Sequence, residues 1–168
     1  MTISMYQASV PVFVRMLNNL ADILKKAATH AEAKKIDQAA LLQSRLYPDM
    51  FAMRRQVQVA TDAAKGCTAR LAGIEPPRYD DDESNIADLV GRIERTIAYV
   101  SSVKPEQIDG SEGRTITLKV RDQTRTFPGM AYLLNFALPN FYFHVTTAYD
   151  ILRHNGVELG KQDFLGRA

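Results

Sequence analysis

Asn140 and His144 stand four residues apart in a run whose apolar members Leu133, Ala137, Ala148 and Ile151 recur at helical spacing. On a helix that spacing puts an amide and an imidazole on one inward face. A second stripe, Asp49, Met53, Val57, Ala60, Ala64, Cys67 and Leu71, begins with a carboxylate, so Asp49 is expected on an inner face too. Helical bundles build metal sites by bringing such donors together from facing helices. One imidazole, one carboxylate and one amide would suit a loosely held divalent ion, Zn, Ni, Mn or Fe, which would activate water or a small thiol. Each residue also has an ordinary structural role. His144 would be a hydrogen-bonded core residue, Asn140 would satisfy carbonyls freed beside Pro139, and Asp49 would face the positive end of a helix. The residues alone leave both readings open.

Other reactive types have plainer readings. Cys67 follows the buried stripe, where an apolar setting raises a thiol pKa and makes it inert. His154 falls in the last turn of a helix and complements its dipole, and His30 lies in a polar connection. Phe141, Tyr142, Phe143 and Tyr149 read as core and interface aromatics. Lys161 and Asp163 belong to a Gly-bounded tail that charge pairing would pin to the body or that would line a pocket mouth.

The elements that must position these groups are four long helical patterns and a hairpin. The first runs from Ser4 to about Ala28, with Ser4 and Gln7 at capping-box spacing and a stripe through Val10, Phe13, Leu17, Leu20, Leu24 and Ala27. Pro11 either kinks it or marks its first turn, with Ser9 as cap. A short piece over 38–44 precedes a second long helix, from Pro48 at its first position to about Ala72, stopped by Gly73. The third is capped by Ser84 or Asn85 and carries Ile86, Leu89, Ile93, Ile97 and Val100. Residues 114–120 and 124–127 alternate and predict a hairpin turned by Arg121-Asp122-Gln123. The last helix starts at Pro128-Gly129, bends at Pro139 and stops at Asn155-Gly156. Four amphipathic helices fit an all-α four-helix bundle with a small hairpin between the third and fourth, one domain over 1–168.

Composition narrows the function classes. The chain has 168 residues, 46% apolar and 24% charged, as in an ordinary globular domain. A domain this long buries roughly 70% of its unfolded surface, so it needs neither disulfide nor structural metal to hold together. One cysteine fits a reducing compartment, and the start lacks a secretory pattern, so a soluble cytoplasmic protein is expected with no membrane span. The net charge of +2 is scattered, apart from an acidic run at Asp80 to Glu83 and a loose basic stretch of Arg114, Lys119, Arg121 and Arg125, which argues against nucleic acid as a partner. Aromatic and methionine side chains near the ends, Met50, Phe51 and Phe164, predict a homodimer.

The run from Leu138-Pro139-Asn140-Phe141-Tyr142-Phe143-His144 to Asn155-Gly156-Val157, followed by Gly160-Lys161-Gln162-Asp163-Phe164-Leu165-Gly166, resembles the C-terminal signature of an uncharacterised bacterial family within the DinB/YfiT-like metalloenzyme superfamily. Tyr47-Pro48-Asp49-Met50-Phe51 and Gln56-Val57-Gln58 resemble its second-helix segment. The resemblance implies a four-helix bundle whose better-known relatives hold a divalent metal with one histidine from the second helix and a His-x-x-x-His pair from the last. Some are transferases using low-molecular-weight thiols. His144 matches the second member of the pair, Asn140 falls on the first, and Asp49 falls at or near the second-helix ligand. Two of the three positions therefore carry another residue type. Two functions follow: a non-catalytic bundle that binds a small molecule or self-associates, slightly favoured, or a metal-dependent transferase or hydrolase.

Overall fold

The first turn of the chain is closed by its own side chains. Ser4 N–H donates to Gln7 Oε1 at 3.1 Å and Gln7 N–H to Ser4 Oγ at 3.3 Å, the expected reciprocal pair. Regular helix starts only at α1 (Val10–Lys34), with Pro11 in its first turn and Ser9 in the capping position. Ser9 does not cap with its side chain; its hydroxyl donates back to the Met5 carbonyl at 2.6 Å. The computed structural model describes residues 2–120 and 122–166.

After α2 (Gln38–Gln43) the chain departs from the expected course. Pro48 does not open a helix. It sits second in a turn closed by Met50 N–H donating to the Tyr47 carbonyl at 3.0 Å, the place in a β-turn that its fixed φ suits. α3 begins five residues later (Met53–Ala72) and stops at Gly73, whose φ of 71° is the left-handed conformation that glycine adopts without strain. α4 (Ile86–Ser102) opens with Asn85 and Asp88 exchanging side-chain to backbone hydrogen bonds. The turn α5 (Pro105–Ile108) leads to strands β1 (Thr115–Val120) and β2 (Gln123–Pro128), paired antiparallel with Thr115 opposite Pro128 and Val120 opposite Gln123. Of the expected turn Arg121-Asp122-Gln123, Arg121 lies outside the described residues.

The last long helix is one continuous path in three parts: α6 (Gly129–Tyr132), a π-helical stretch Leu133–Ala137, and α7 (Leu138–His154). Pro139 explains the middle part. It has no N–H for the Asn135 carbonyl, and the helix widens here, with Leu138 N–H bonding the Leu133 carbonyl. Gly129 is required by a close approach, because a Cβ there would run into the backbone oxygen of Ser111. A short helix not expected from the sequence, α8 (Lys161–Leu165), ties the tail to α1 through Asp163 and Lys26 at 2.6 Å, and Asn19 donates to the Phe164 carbonyl at 2.9 Å.

The expected stripes point inward apart from Asp49, which is exposed, and Ile97 and Asn140, which are half-buried, and on α7 Phe141 and Val145 join the stripe. Phe13, Leu17, Leu20 and Leu24 of α1, Met53, Val57, Ala60, Ala64, Cys67 and Leu71 of α3, Leu89 and Ile93 of α4, and Phe141, Val145, Ala148 and Ile151 of α7 are all buried in one apolar cluster. Phe13 and Phe141 meet edge to face with centroids 5.0 Å apart, joining α1 to α7. The hairpin lies beside this helical body, with Ile116 and Leu118 turned in and Arg114 donating to the Leu71 carbonyl. The protein is therefore mostly helical with one small antiparallel hairpin. Among the described residues no helix is long and apolar enough to cross a membrane.

Candidate functional site

His144 lies on the inner face of α7, only 7% exposed. Its Nδ1 is 2.7 Å from Gln56 Oε1 of α3, and Gln56 Nε2 donates to the Phe51 carbonyl at 3.0 Å. Because the amide spends its N–H on Phe51, its oxygen can only accept, so the proton of the neutral imidazole is on Nδ1 and Nε2 keeps its lone pair. Burial, reinforced by the positive charge of Arg55, lowers the His144 pKa to about 4. The ring is thus neutral near pH 7, held by Gln56 and edged by Phe143 at 5.2 Å between centroids.

The two expected companions do not join it there. Asp49 is a correction: it sits exposed in the turn ahead of α3, because Pro48 serves that turn rather than a helix start. The α3 residue that meets His144 is Gln56. Its signal was present in the sequence, since it lies three residues after Met53 and four before Ala60, on the buried stripe itself. Asn140 is one turn before His144 on α7 but is half-buried, and its side chain has no hydrogen bond among the described residues. It lines a hollow of about 220 Å3 between α3, β1 and the π-helical stretch. Arg70, Lys119, Tyr132 and Phe136 share that lining. Arg70 Nη1 is 3.4 Å from the Tyr132 hydroxyl, whose pKa burial pushes up to about 12, so the phenol stays protonated. Cys67 is fully buried and its thiol pKa is raised by burial, as expected of an inert packing residue.

A second polar centre was not expected from the sequence. Arg92, on the inner face of α4, has no exposed surface. Its Nε donates to Thr61 Oγ1 at 2.7 Å, Nη1 to Glu83 Oε1 and the Asp80 carbonyl at 2.9 Å each, and Nη2 to Asp62 Oδ1 at 3.0 Å. Asp81 Oδ1 lies 3.1 Å from Nη1, and the other carboxylate oxygen, Oδ2, takes Arg55. Gln58 donates to Glu83 at 2.8 Å, Lys65 pairs with Asp62 at 3.0 Å, and the Lys65 ammonium stands 3.9 Å over the Tyr79 ring. Burial opposes the charges of Glu83 and Arg92. Their mutual hydrogen bond and charge attraction, with the Gln58 bond to Glu83 and the charges of Asp62 and Asp81 beside Arg92, together more than offset it, leaving the Glu83 pKa lowered and that of Arg92 raised. The acidic run at Asp80 to Glu83 is therefore the counterpart of a buried guanidinium. An arginine three residues after Leu89 in an apolar stripe was the signal available in the sequence.

No curated protein matches this chain. A crystal structure described as a DinB family member protein from Shewanella denitrificans is 42% identical to it. That match covers 97% of this chain and 92% of that one, with a TM-score of 0.89. The family model for a domain of unknown function, DUF1993, matches residues 5–165, and the chain belongs to this DinB-like family.

Proposed function

We propose that this protein is a non-catalytic small-molecule-binding protein in which α1, α3, α4 and α7 act as a four-helix bundle of DinB type, one domain from end to end. The observation that carries this reading is the hollow beside α3. Arg70, with only a long bond to Tyr132, and Asn140, with none among the described residues, line a concave space whose walls combine Asp62 and Lys119 with apolar Leu118, Phe136 and Ala137. Polar groups left without internal partners in a concavity are free to hold a ligand.

The residues present do not fit a resident metal ion. Around His144 the donor set is one imidazole nitrogen, one amide a turn away and a carboxylate exposed outside the helix, a weak combination for Zn, Ni, Mn or Fe. Among the described residues no three His, Cys, Asp or Glu side chains are grouped to hold one. The alternative, a metal-dependent transferase or hydrolase, is favoured by one feature: Gln56 orients His144 as an outer partner orients a metal-bound imidazole, leaving Nε2 available. Untagged protein titrated with Zn, Ni, Mn and Fe near neutral pH decides between them. We expect substoichiometric metal after dialysis and no rise in melting temperature. A stoichiometric ion lost in the His144→Ala variant establishes the metal reading instead.

A homodimer remains part of the proposal. Phe51 and Phe143 are 51% and 54% exposed and both adjoin the His144 site, through the Phe51 carbonyl and the Phe143 ring, and Leu46 and Tyr47 add apolar surface. Phe164 is not part of this surface, since it packs on Tyr149 with centroids 6.0 Å apart. Sedimentation at micromolar concentration is expected to show twice the 18.8 kDa chain mass, and Phe51→Ser with Phe143→Ser to return it to one. The single buried thiol supports a reducing, cytoplasmic setting.

A further inference from the structure

Arg70 occupies an unusual position for an arginine. It is half-buried near the end of α3, no carboxylate lies within ion-pair distance among the described residues, and its recorded partner is a phenol at 3.4 Å. Its guanidinium lies back over Gly66, where a Cβ would run into Nη1. A glycine inside a helix is unfavourable by itself, so its presence here goes with the room that the guanidinium takes. On one side Arg70 borders the 220 Å3 hollow; on the other it borders a wider cleft of about 420 Å3 lined by Tyr79 and the Pro76-Pro77 connection. Asp62 is the acidic group common to both spaces, and Arg92 and Lys65 already hold its charge, each at 3.0 Å. Lys119 on β1 adds a second cation to the smaller hollow. The hollow therefore keeps an excess of positive charge at Arg70 and Lys119.

The π-helical stretch supplies the rest of the site. Where the helix widens ahead of Pro139, Phe136, Ala137 and Asn140 line the hollow together with Val59 and Ala63 of α3 and Leu118 of β1. A guanidinium donates in a fork that matches a carboxylate, the Tyr132 hydroxyl and Asn140 amide can each donate or accept, and the walls favour a hydrocarbon body.

We propose that this hollow binds a small organic carboxylate with an apolar body, its carboxylate on Arg70 and its hydrocarbon against Leu118, Phe136 and Ala137. The assignment rests on the ligand-binding reading above and names the chemical class and the anchoring residue. No bond is made or broken in it.

The test uses the full chain and two probes of one shape, hexanoate and hexanamide, followed by nitrogen-detected NMR and calorimetry. Hexanoate is expected to bind saturably and to shift the Arg70 Nε and Asn140 side-chain signals, with hexanamide at least about tenfold weaker, since a hydrogen bond to a charged group is worth a factor of that size or more. Arg70→Met is expected to lose the same factor with unchanged helical content. Gly66→Ala provides a second variant whose fold is not at risk, since alanine is the better helix former. Its Cβ displaces the guanidinium, and hexanoate binding weakens while the melting temperature holds or rises. Equal binding of hexanoate by wild type and Arg70→Met overturns the role of Arg70 and leaves the broader reading standing. Failure of both probes to bind overturns both.

Discussion

The two polar regions beside α3 are built on opposite terms. Around Arg92 three cations, Arg92, Lys65 and Arg55, meet three carboxylates, Asp62, Asp81 and Glu83, and the guanidinium has no exposed surface. In the hollow nearby, which shares Asp62 with that cluster, Arg70 has one long bond and Asn140 none among the described residues. The first region consumes its own hydrogen-bonding capacity and fastens the connection between α3 and α4 to the body. The second withholds it. The lesson is that a buried charge counts as structure when its partners are internal, and as a candidate site when they are missing.

The largest effect should come from breaking the satisfied region. Arg92→Met leaves Glu83, Asp62 and Asp81 without their common partner, and removing one member of a buried ionic group costs about 3–5 kcal/mol. Urea unfolding followed by circular dichroism reads this directly; an unchanged midpoint would show that the cluster is not the fastener. His144→Ala should cost less, about 1–3 kcal/mol, because it orphans Gln56 Oε1 and leaves a cavity.

The pH dependence separates the His144 site from the Arg92 cluster. His144 has a pKa of about 4 in the folded chain against 6.5 in the unfolded one, so below pH 6.5 the unfolded state takes up a proton that the folded state refuses. Stability is therefore complete above pH 6.5 and falls toward pH 4, by at most about 1.4 kcal/mol per unit. His144→Gln should flatten that window. The Glu83 contribution has the opposite origin: its lowered pKa makes stability present above the ordinary carboxylate range and lost as pH falls through the folded value, below pH 4.5. A wild-type curve flat from pH 6.5 to 4.5 would contradict the buried neutral imidazole.

Smaller effects sharpen the contrast. Arg70→Met, although it removes a half-buried cation, should change stability by less than about 1 kcal/mol, since it breaks one long bond and leaves no charge stranded. Asp163→Asn, at a partly exposed pair that pins α8, should cost no more than about 1 kcal/mol. Thermal melts of both variants beside Arg92→Met give the order.

What could be read from residues alone was local. Hydrophobic period, the Asn85 cap, the Gly73 stop and the alternation in the hairpin are set within a few positions of chain, and so the long helices and the strand pair were legible, although α1 begins at Val10 rather than Ser4 and ends at Lys34 rather than Ala28, which puts His30 inside the helix and not in a connection. The short α8 was not, because its five residues carry no stripe and hold only by docking on α1. Proline was ambiguous: Pro11 and Pro48 suit a helix start and a turn equally, and the hydrogen bond from Met50 to Tyr47 decided the second case and left Asp49 in solvent.

Membership in a DinB-like family and the inward position of His144 were determined by sequence. Which side chain meets that imidazole, 88 residues away, and which carboxylates surround Arg92 were decided only by the packing of helices. A charge pattern along the chain records composition, whereas partnership depends on distance and burial, and both arise only when the helices close on one another.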